Sequence, residues 1–295
     1  RMAGWKYPTP LLEYDFLGGM YDRHPELHCV DREGRDVSRL SFAFPEVQDY
    51  MLEMLRDVLR YDVDGVCLLF NRRPPYIDHE APLIEGFRAK YGIAPLDVDE
   101  RDPRWLTYRA EVVTGFMRRL RGEMDKESLG RRKRLEVTAC VLGKEEDNLF
   151  FGLDVATWAS EGLIDTLMPY SPAPLAMPVA TDTWDDPAQV VPFVEAVQGT
   201  NCKLAINLMP RWMSPEDYRR MADMVYKAGS EYMFFWDCEG PHGRANYQSL
   251  WNALRRLGHL SDIDMWVKDG EPILGPNRVP LRTMNGWNMD TVAPG

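Results

Sequence analysis

The chain has 295 residues, 45% of them hydrophobic, and a formal charge of -11, a size and composition suited to one large α/β domain. The acidic balance excludes nucleic acid or an anionic membrane as the main partner, because either requires a basic face. No apolar run is long enough to span a bilayer.

Residues 1–44 are rich in loop signals and hold no predicted buried strand. Residues 45–59 read as a helix with Met51, Leu52, Leu55, Val58 and Leu59 on one side. The helix feeds into residues 66–70, a continuous apolar run of the kind that a parallel strand covered on both faces requires. Asn71-Arg72-Arg73-Pro74-Pro75 ends that run, since the two prolines forbid further ladder pairing.

Downstream, an apolar run followed by a capped amphipathic helix recurs. A helix over residues 103–126 opens at Asp102-Pro103 and carries Trp105, Val112, Phe116, Leu120 and Met124 at helical period. A strand over 135–142 follows, then a charged turn from Lys144 to Asp147. Asp154 caps a short helix that Gly162 ends, and a strand over 163–168 stops at Pro169-Tyr170. Next come a helix near 187–198, a strand over 203–208 stopped by Pro210, and a helix from Ser214-Pro215-Glu216-Asp217 to Gly229. A strand over 232–236, a helix near 244–257 and an irregular tail over 261–295 follow.

This alternation predicts right-handed β/α crossovers. A closed (β/α)8 TIM barrel needs eight strands and five are legible, so residues 1–260 are expected to form an α/β barrel lacking its first units. If the chain is complete, the edges and apolar face of a partial barrel predict that it dimerises, as a homo-oligomer, or aggregates. Cysteines inside the predicted strands read as buried thiols, not as a disulfide framework. Neither the cysteine spacings nor the histidines match a metal motif, and Pro25 interrupts the pair His24 and His28. No metal and no cofactor is expected.

The segments Phe44-Pro45-Glu46-Val47, Tyr61-Asp62-Val63-Asp64-Gly65-Val66 and Asn71-Arg72 resemble the bacterial glycoside hydrolase family 10-like proteins. The likeness is densest over residues 20–92 and continues more weakly through Gly152-Leu153-Asp154, Glu161-Gly162-Leu163-Ile164-Asp165 and the strand over 232–236. It implies a (β/α)8 fold, a carbohydrate substrate, residues 66–70 as the fourth barrel strand, and three earlier strands before Arg1. The sequence departs from the pattern at Leu69, where many such barrels carry an aspartate. It departs again at Arg72, where a carboxylate would follow Asn71, and at Met209-Pro210-Arg211, where a nucleophile is expected. The resemblance therefore bears on fold and sugar context more than on a particular catalytic pair.

Glycoside hydrolysis uses two carboxylates across the scissile bond, and ligands of parallel sheets gather at the carboxyl ends of strands. Acids at such ends are Asp78 and Glu80, then Glu145, Glu146 and Asp147, then Asp237 and Glu239. Asp237 directly follows Phe234-Phe235-Trp236, where apolar surface would raise its pKa and make it an acid; otherwise it accepts backbone N–H bonds from the next loop. Glu80 either works at the substrate or favours the dipole of the helix near Leu83. Asp237 and Glu80 are the first expected catalytic pair and Glu146 is the reserve, although a solvated turn is the plainer reading of 144–147.

Asn71, Arg72 and Arg211 suit recognition of hydroxyl or carboxylate groups, the guanidinium offering a planar fork of donors. Several arginines around one mouth would fit a uronic acid. Tyr170, Trp184, Trp212 and Trp236 stand at or after strand ends, where rings stack on sugars, whereas Trp105, Trp158 and Trp251 read as packing. The expected function is hydrolysis of an oligosaccharide or polysaccharide by carboxylate acid/base chemistry. The alternatives are a glycan-binding barrel without catalysis, suggested by Leu69 and Arg72, and a sugar-acid lyase or isomerase that grips a carboxylate with arginines.

Overall fold

The computed structural model describes residues 19–71, 74–131, 133–170, 184–208, 215–235 and 256–269. It contains a hairpin and a five-stranded parallel sheet. In the hairpin, β1 (His28–Val30) runs antiparallel to β2 (Asp36–Leu40), within the stretch where no strand was expected. Cys29 and Leu40 are buried there. With three residues in β1 and a register shift between His28 and Val30, the hairpin has no sustained alternation to read.

The parallel sheet follows chain order: β3 (Gly65–Leu69), β4 (Glu136–Val141), β5 (Thr166–Pro169), β6 (Lys203–Leu208) and β7 (Tyr232–Phe235). Around it lie α1 (Met20–Arg23), α2 (Pro45–Val58), α3 (Ala81–Tyr91), α4 (Pro103–Arg131), α5 (Glu145–Phe150), α6 (Val155–Ser160), α7 (Val191–Val197), α8 (Pro215–Lys227) and α9 (Leu260–Asp269). Local signals set many of these bounds. Pro45 occupies the first turn of α2. Asp154 caps α6 by accepting from Thr157 N at 3.0 Å, and Gly162 follows that helix at φ 67°.

Alternate strand residues point to opposite faces, and the two faces differ. Val66, Leu68, Val137, Ala139, Val141, Leu167, Leu204, Ile206 and Leu208 share one core with Leu52 and Leu55 of α2, Phe116 and Leu120 of α4, Trp158 of α6, Phe193 of α7 and Val225 of α8. Burying a side chain such as Phe193 or Ile206 stabilises the fold by about 1.5–3 kcal/mol. The opposite face carries Leu69, Cys140, Met168, Tyr170, Ala205 and Phe234, a smaller apolar cluster that includes no helical residue among the described residues.

Two anchors fix the register. Asp165 links β4, β5 and β6: its N–H donates to Val137 O at 2.7 Å, its Oδ2 accepts from Val137 N at 2.8 Å, and its carbonyl accepts from Lys203 N at 2.9 Å. Arg121 and Arg134 donate to the same carboxylate at 3.1 and 2.7 Å. Gly65 permits the close approach of β3 to β4, because a Cβ there would lie 2.2 Å from the carbonyl oxygen of Glu136.

Several expectations need correction. The strand over 66–70 is not covered on both faces: Leu68 is buried but Cys67 is exposed. Among the described residues β3 is an edge strand, and its face away from the helices carries Cys67 outward. That thiol is therefore not a core residue, unlike Cys29, Cys140 and Cys202. Val58 is also exposed, since it lies at the end of α2. Residues 145–147 begin a helix instead of a turn, with Glu145, Glu146 and Asp147 in its first turn, where the helix dipole favours acids. The start of the supposed irregular tail is helical, and Ile263 and Trp266 of α9 are buried in the main core. Residues 244–255 of the helix expected near 244–257 lie outside the described residues, and 256–257 form a turn.

Candidate functional site

In a parallel sheet all carboxyl ends share one edge, and each returning helix starts there, so residues after β3, β4, β5, β6 and β7 meet around one rim. Asn71 stands two residues past Leu69, whose Cα partner is Cys140 on β4. Asn71 is 8% exposed, and among the described residues neither its Nδ2 nor its Oδ1 has a hydrogen-bond partner. An unsatisfied buried polar group costs about 1–3 kcal/mol. At β6, Asn207 is fully buried: its Nδ2 donates to Phe234 O at 3.2 Å while its Oδ1 has no partner among the described residues.

The loop after Asn71 is held firmly. Tyr76 donates its hydroxyl to Phe70 O at 2.9 Å. Asp78 Oδ1 lies 2.7 Å from His79 Nδ1 and accepts from Arg109 Nη1 at 3.2 Å; Arg109 also donates to Phe150 O at 2.7 Å. Glu80, 1% exposed, is the residue before α3, yet its side chain makes no capping bond to that helix. It turns back toward the hairpin, accepting from Val30 N at 3.2 Å and from Asp78 N at 3.0 Å. Burial pushes its carboxyl pKa up, and burial raises the pKa of Cys29 beside it further still, with the Glu80 charge and hydrogen bond adding to the effect. The geometry gives Glu80 the work of anchoring the loop.

After β4, Glu146 is exposed and Glu145 is half-buried. The Glu145 carboxyl is raised above its ordinary range, first by burial and then by the charges of Glu146 and Asp154. Asp154 begins α6, so these acids share the rim. Tyr170 directly follows β5 on the face away from the helices, where it packs with Cys140, Met168 and Ala205 and is 7% exposed. Its ring is covered, not open. Trp184 is a core residue, buried against Phe193 and donating its Nε1–H to Asn207 O at 2.7 Å. Trp105 and Trp158 are buried, in agreement with their reading as packing. Arg72, Arg211, Trp212, Trp236 and Asp237 lie outside the described residues.

The site also holds features that the sequence did not disclose. Asn207 sits inside an apolar strand and carries no motif. Arg109 lies on an amphipathic helix, and only its position one turn from Trp105, on the helix's buried face, hints at burial. Among the described residues no group of three or more His, Cys, Asp or Glu side chains is arranged to hold a metal ion, and no helix is long and apolar enough to cross a membrane. No protein-family model matches the chain, and no curated protein matches it.

Proposed function

We propose that the parallel sheet is an arc of a (β/α)8 barrel whose carboxyl-end rim hydrolyses glycosidic bonds in an oligosaccharide or polysaccharide. The strand order supports the barrel. From β3 to β7 it never reverses, and the helices that build the main core lie on one face. Right-handed crossovers laid in one direction curl a sheet around its helix-free face, whereas a doubly wound sheet reverses its order and is covered on both faces.

The observation that carries the functional reading is Asn71. Its buried amide offers an unused donor and an unused acceptor at the end of a strand, and a sugar hydroxyl supplies the complement of both. Arg72, Arg211, Trp212 and Trp236, which follow β3, β6 and β7 in sequence, would extend this binding rim beside Tyr170.

For the chemistry, Glu145 is better suited to act as the acid than Glu80 or Glu146. Its raised pKa favours the protonated form that a general acid needs, while Glu80 is enclosed and Glu146 is exposed. Glu145 would donate its proton to the glycosidic oxygen as the carbon–oxygen bond breaks. Asp237, next to the end of β7, would act as the second carboxylate, on water or on the anomeric carbon.

A glycan-binding barrel without turnover is favoured by one specific observation. Leu69 fills the helix-free face of β3 with apolar side chain, at the position where the resembling barrels carry an acid. Release of reducing ends from a broad oligosaccharide panel decides between the readings. The hydrolase reading expects release by the unaltered chain, and a loss of about 10²–10⁴-fold in Glu145→Gln and in Asp237→Asn with binding retained. Binding without any release would establish the second reading, and neither binding nor release would end both.

A further inference from the structure

His28, in β1, is engaged through both ring nitrogens. Its Nδ1 lies 2.8 Å from Asp36 Oδ2 on β2, and its Nε2 lies 2.8 Å from the backbone carbonyl oxygen of Tyr21 in α1. The Tyr21 and His28 rings stack, with centroids 3.8 Å apart and planes 7° from parallel. The Tyr21 hydroxyl donates to the same Asp36 oxygen at 2.8 Å, and Ser38 N donates to Asp36 Oδ1 at 2.6 Å. The His28 side chain is 10% exposed, so little water competes for either nitrogen.

Both partners of the ring are acceptors. A backbone carbonyl has no proton to give. Asp36 is ionised: burial raises its carboxyl, but the bonds from Tyr21, Ser38 N and His28 outweigh burial and hold it below its ordinary range. Only the imidazolium ring has an N–H for each partner, because either neutral tautomer turns a lone pair toward an acceptor. Burial, then the bond and charge of Asp36, push the Tyr21 hydroxyl up to about 12, so it stays a neutral donor, and Asp22 adds negative charge beside it. Glu26, whose carboxyl is lowered first by its bond from His24, also interacts by charge with His28. These charges favour the cationic ring.

We propose that His28 is a pH-sensitive clasp: its charged ring ties β1 both to Asp36 of β2 and to Tyr21 of α1, and loss of a ring proton as pH rises releases one of the two ties. The clasp is closed on the acid side of the ring's titration and open on the alkaline side. Its effect reaches the rim through the hairpin. Val30, two residues along β1, donates its N–H to Glu80 and accepts from His79 N at 3.0 Å, and Phe42 N donates to Tyr76 O at 2.9 Å. The clasp therefore governs how firmly the hairpin backs the loop that follows Asn71. It is independent of the reaction proposed for the rim.

The test is an NMR titration of the whole chain across about pH 5–8, following the His28 ring nitrogens and amide hydrogen exchange in the hairpin, corrected for the intrinsic pH dependence of exchange. The expected result is a proton on both ring nitrogens at the acid end. Exchange at Val30, Ser41 and His79 should rise by at least about tenfold along the ring's own titration, with β4 unaffected. The step should vanish in His28→Gln and persist in Glu80→Gln, which removes the other titrating group that the hairpin contacts. A ring with one proton at the acid end, exchange that does not change through the titration, or a step that survives in His28→Gln or vanishes in Glu80→Gln would each overturn the proposal. Should His28→Gln not fold, the coincidence of ring titration and exchange step in the unaltered chain and in Glu80→Gln decides the matter.

Discussion

The carboxylate of Glu80 accepts a hydrogen bond from the backbone N–H of Val30 at 3.2 Å, joining the loop after β3 to the hairpin that precedes α2. Asp78 N donates to the same carboxylate at 3.0 Å. Glu80→Ala leaves both N–H groups without their acceptor in a poorly hydrated place. The expected cost is about 1–3 kcal/mol, seen as a lower urea midpoint with an unchanged slope. An unchanged midpoint would remove Glu80 from the anchoring role.

The same residue sets a pH dependence. Burial raises the Glu80 pKa above its ordinary value of 4.5, so the folded chain holds this proton more tightly than the unfolded chain. Its contribution to stability is complete below 4.5 and is lost as pH rises through the raised folded value. Glu80→Gln cannot titrate. Urea midpoints across this window should show the wild type losing stability relative to Glu80→Gln as pH rises, and a difference independent of pH would contradict the burial effect.

Asp165 and Arg134 offer a contrast between a buried and a surface ion pair. Arg121, 6% exposed, shares the Asp165 carboxylate with Val137 N, whereas Arg134 is largely exposed. Asp165→Ala should destabilise by about 3 kcal/mol, since it leaves a buried guanidinium with Asp125 as its one charged partner among the described residues. Arg134→Ala should cost no more than about 1 kcal/mol. Equal losses in thermal unfolding would mean that the three-strand anchor around Asp165 is not what holds β4 to β5.

Gly65→Ala tests the β3–β4 approach. Its added carbon would meet the Glu136 carbonyl at 2.2 Å, and backbone cannot yield as a side-chain tip does. The expected loss is about 1–3 kcal/mol, accompanied by faster hydrogen exchange along β3. Wild-type exchange in β3 would show that the two strands separate without penalty.

The parallel strands after residue 60 were legible because each is a short apolar run closed by proline, glycine or a helix cap, as at Asn71-Arg72-Arg73-Pro74 and at Pro210. The exposed face of β3 was not legible. An edge strand and a covered strand present the same run Val66-Cys67-Leu68-Leu69, and only the exposure of Cys67 in the fold distinguishes them. The hairpin was too short for periodicity. At the rim, sequence put Glu80 and the acids after β4 at strand ends, but carboxylates at one edge look alike in sequence. The backbone N–H of Val30, distant in the chain, joins that of Asp78 in holding Glu80, and partial burial, a property of the fold, separates Glu145 from Glu146. Asn71 stood out as a polar residue ending an apolar run, while its unpaired amide is a property of the fold alone.

Glycan binding by Asn71→Leu, measured against the same oligosaccharide panel with thermal unfolding alongside, tests the rim most directly. An amide with no partner among the described residues contributes nothing to folding there, so the apolar substitution should leave the melting temperature unchanged or raise it. Affinity should fall by at least about tenfold, the equivalent of 1.4 kcal/mol. Undiminished binding together with a lower melting temperature would contradict the account, making Asn71 part of the scaffold and leaving the end of β3 without a ligand to meet.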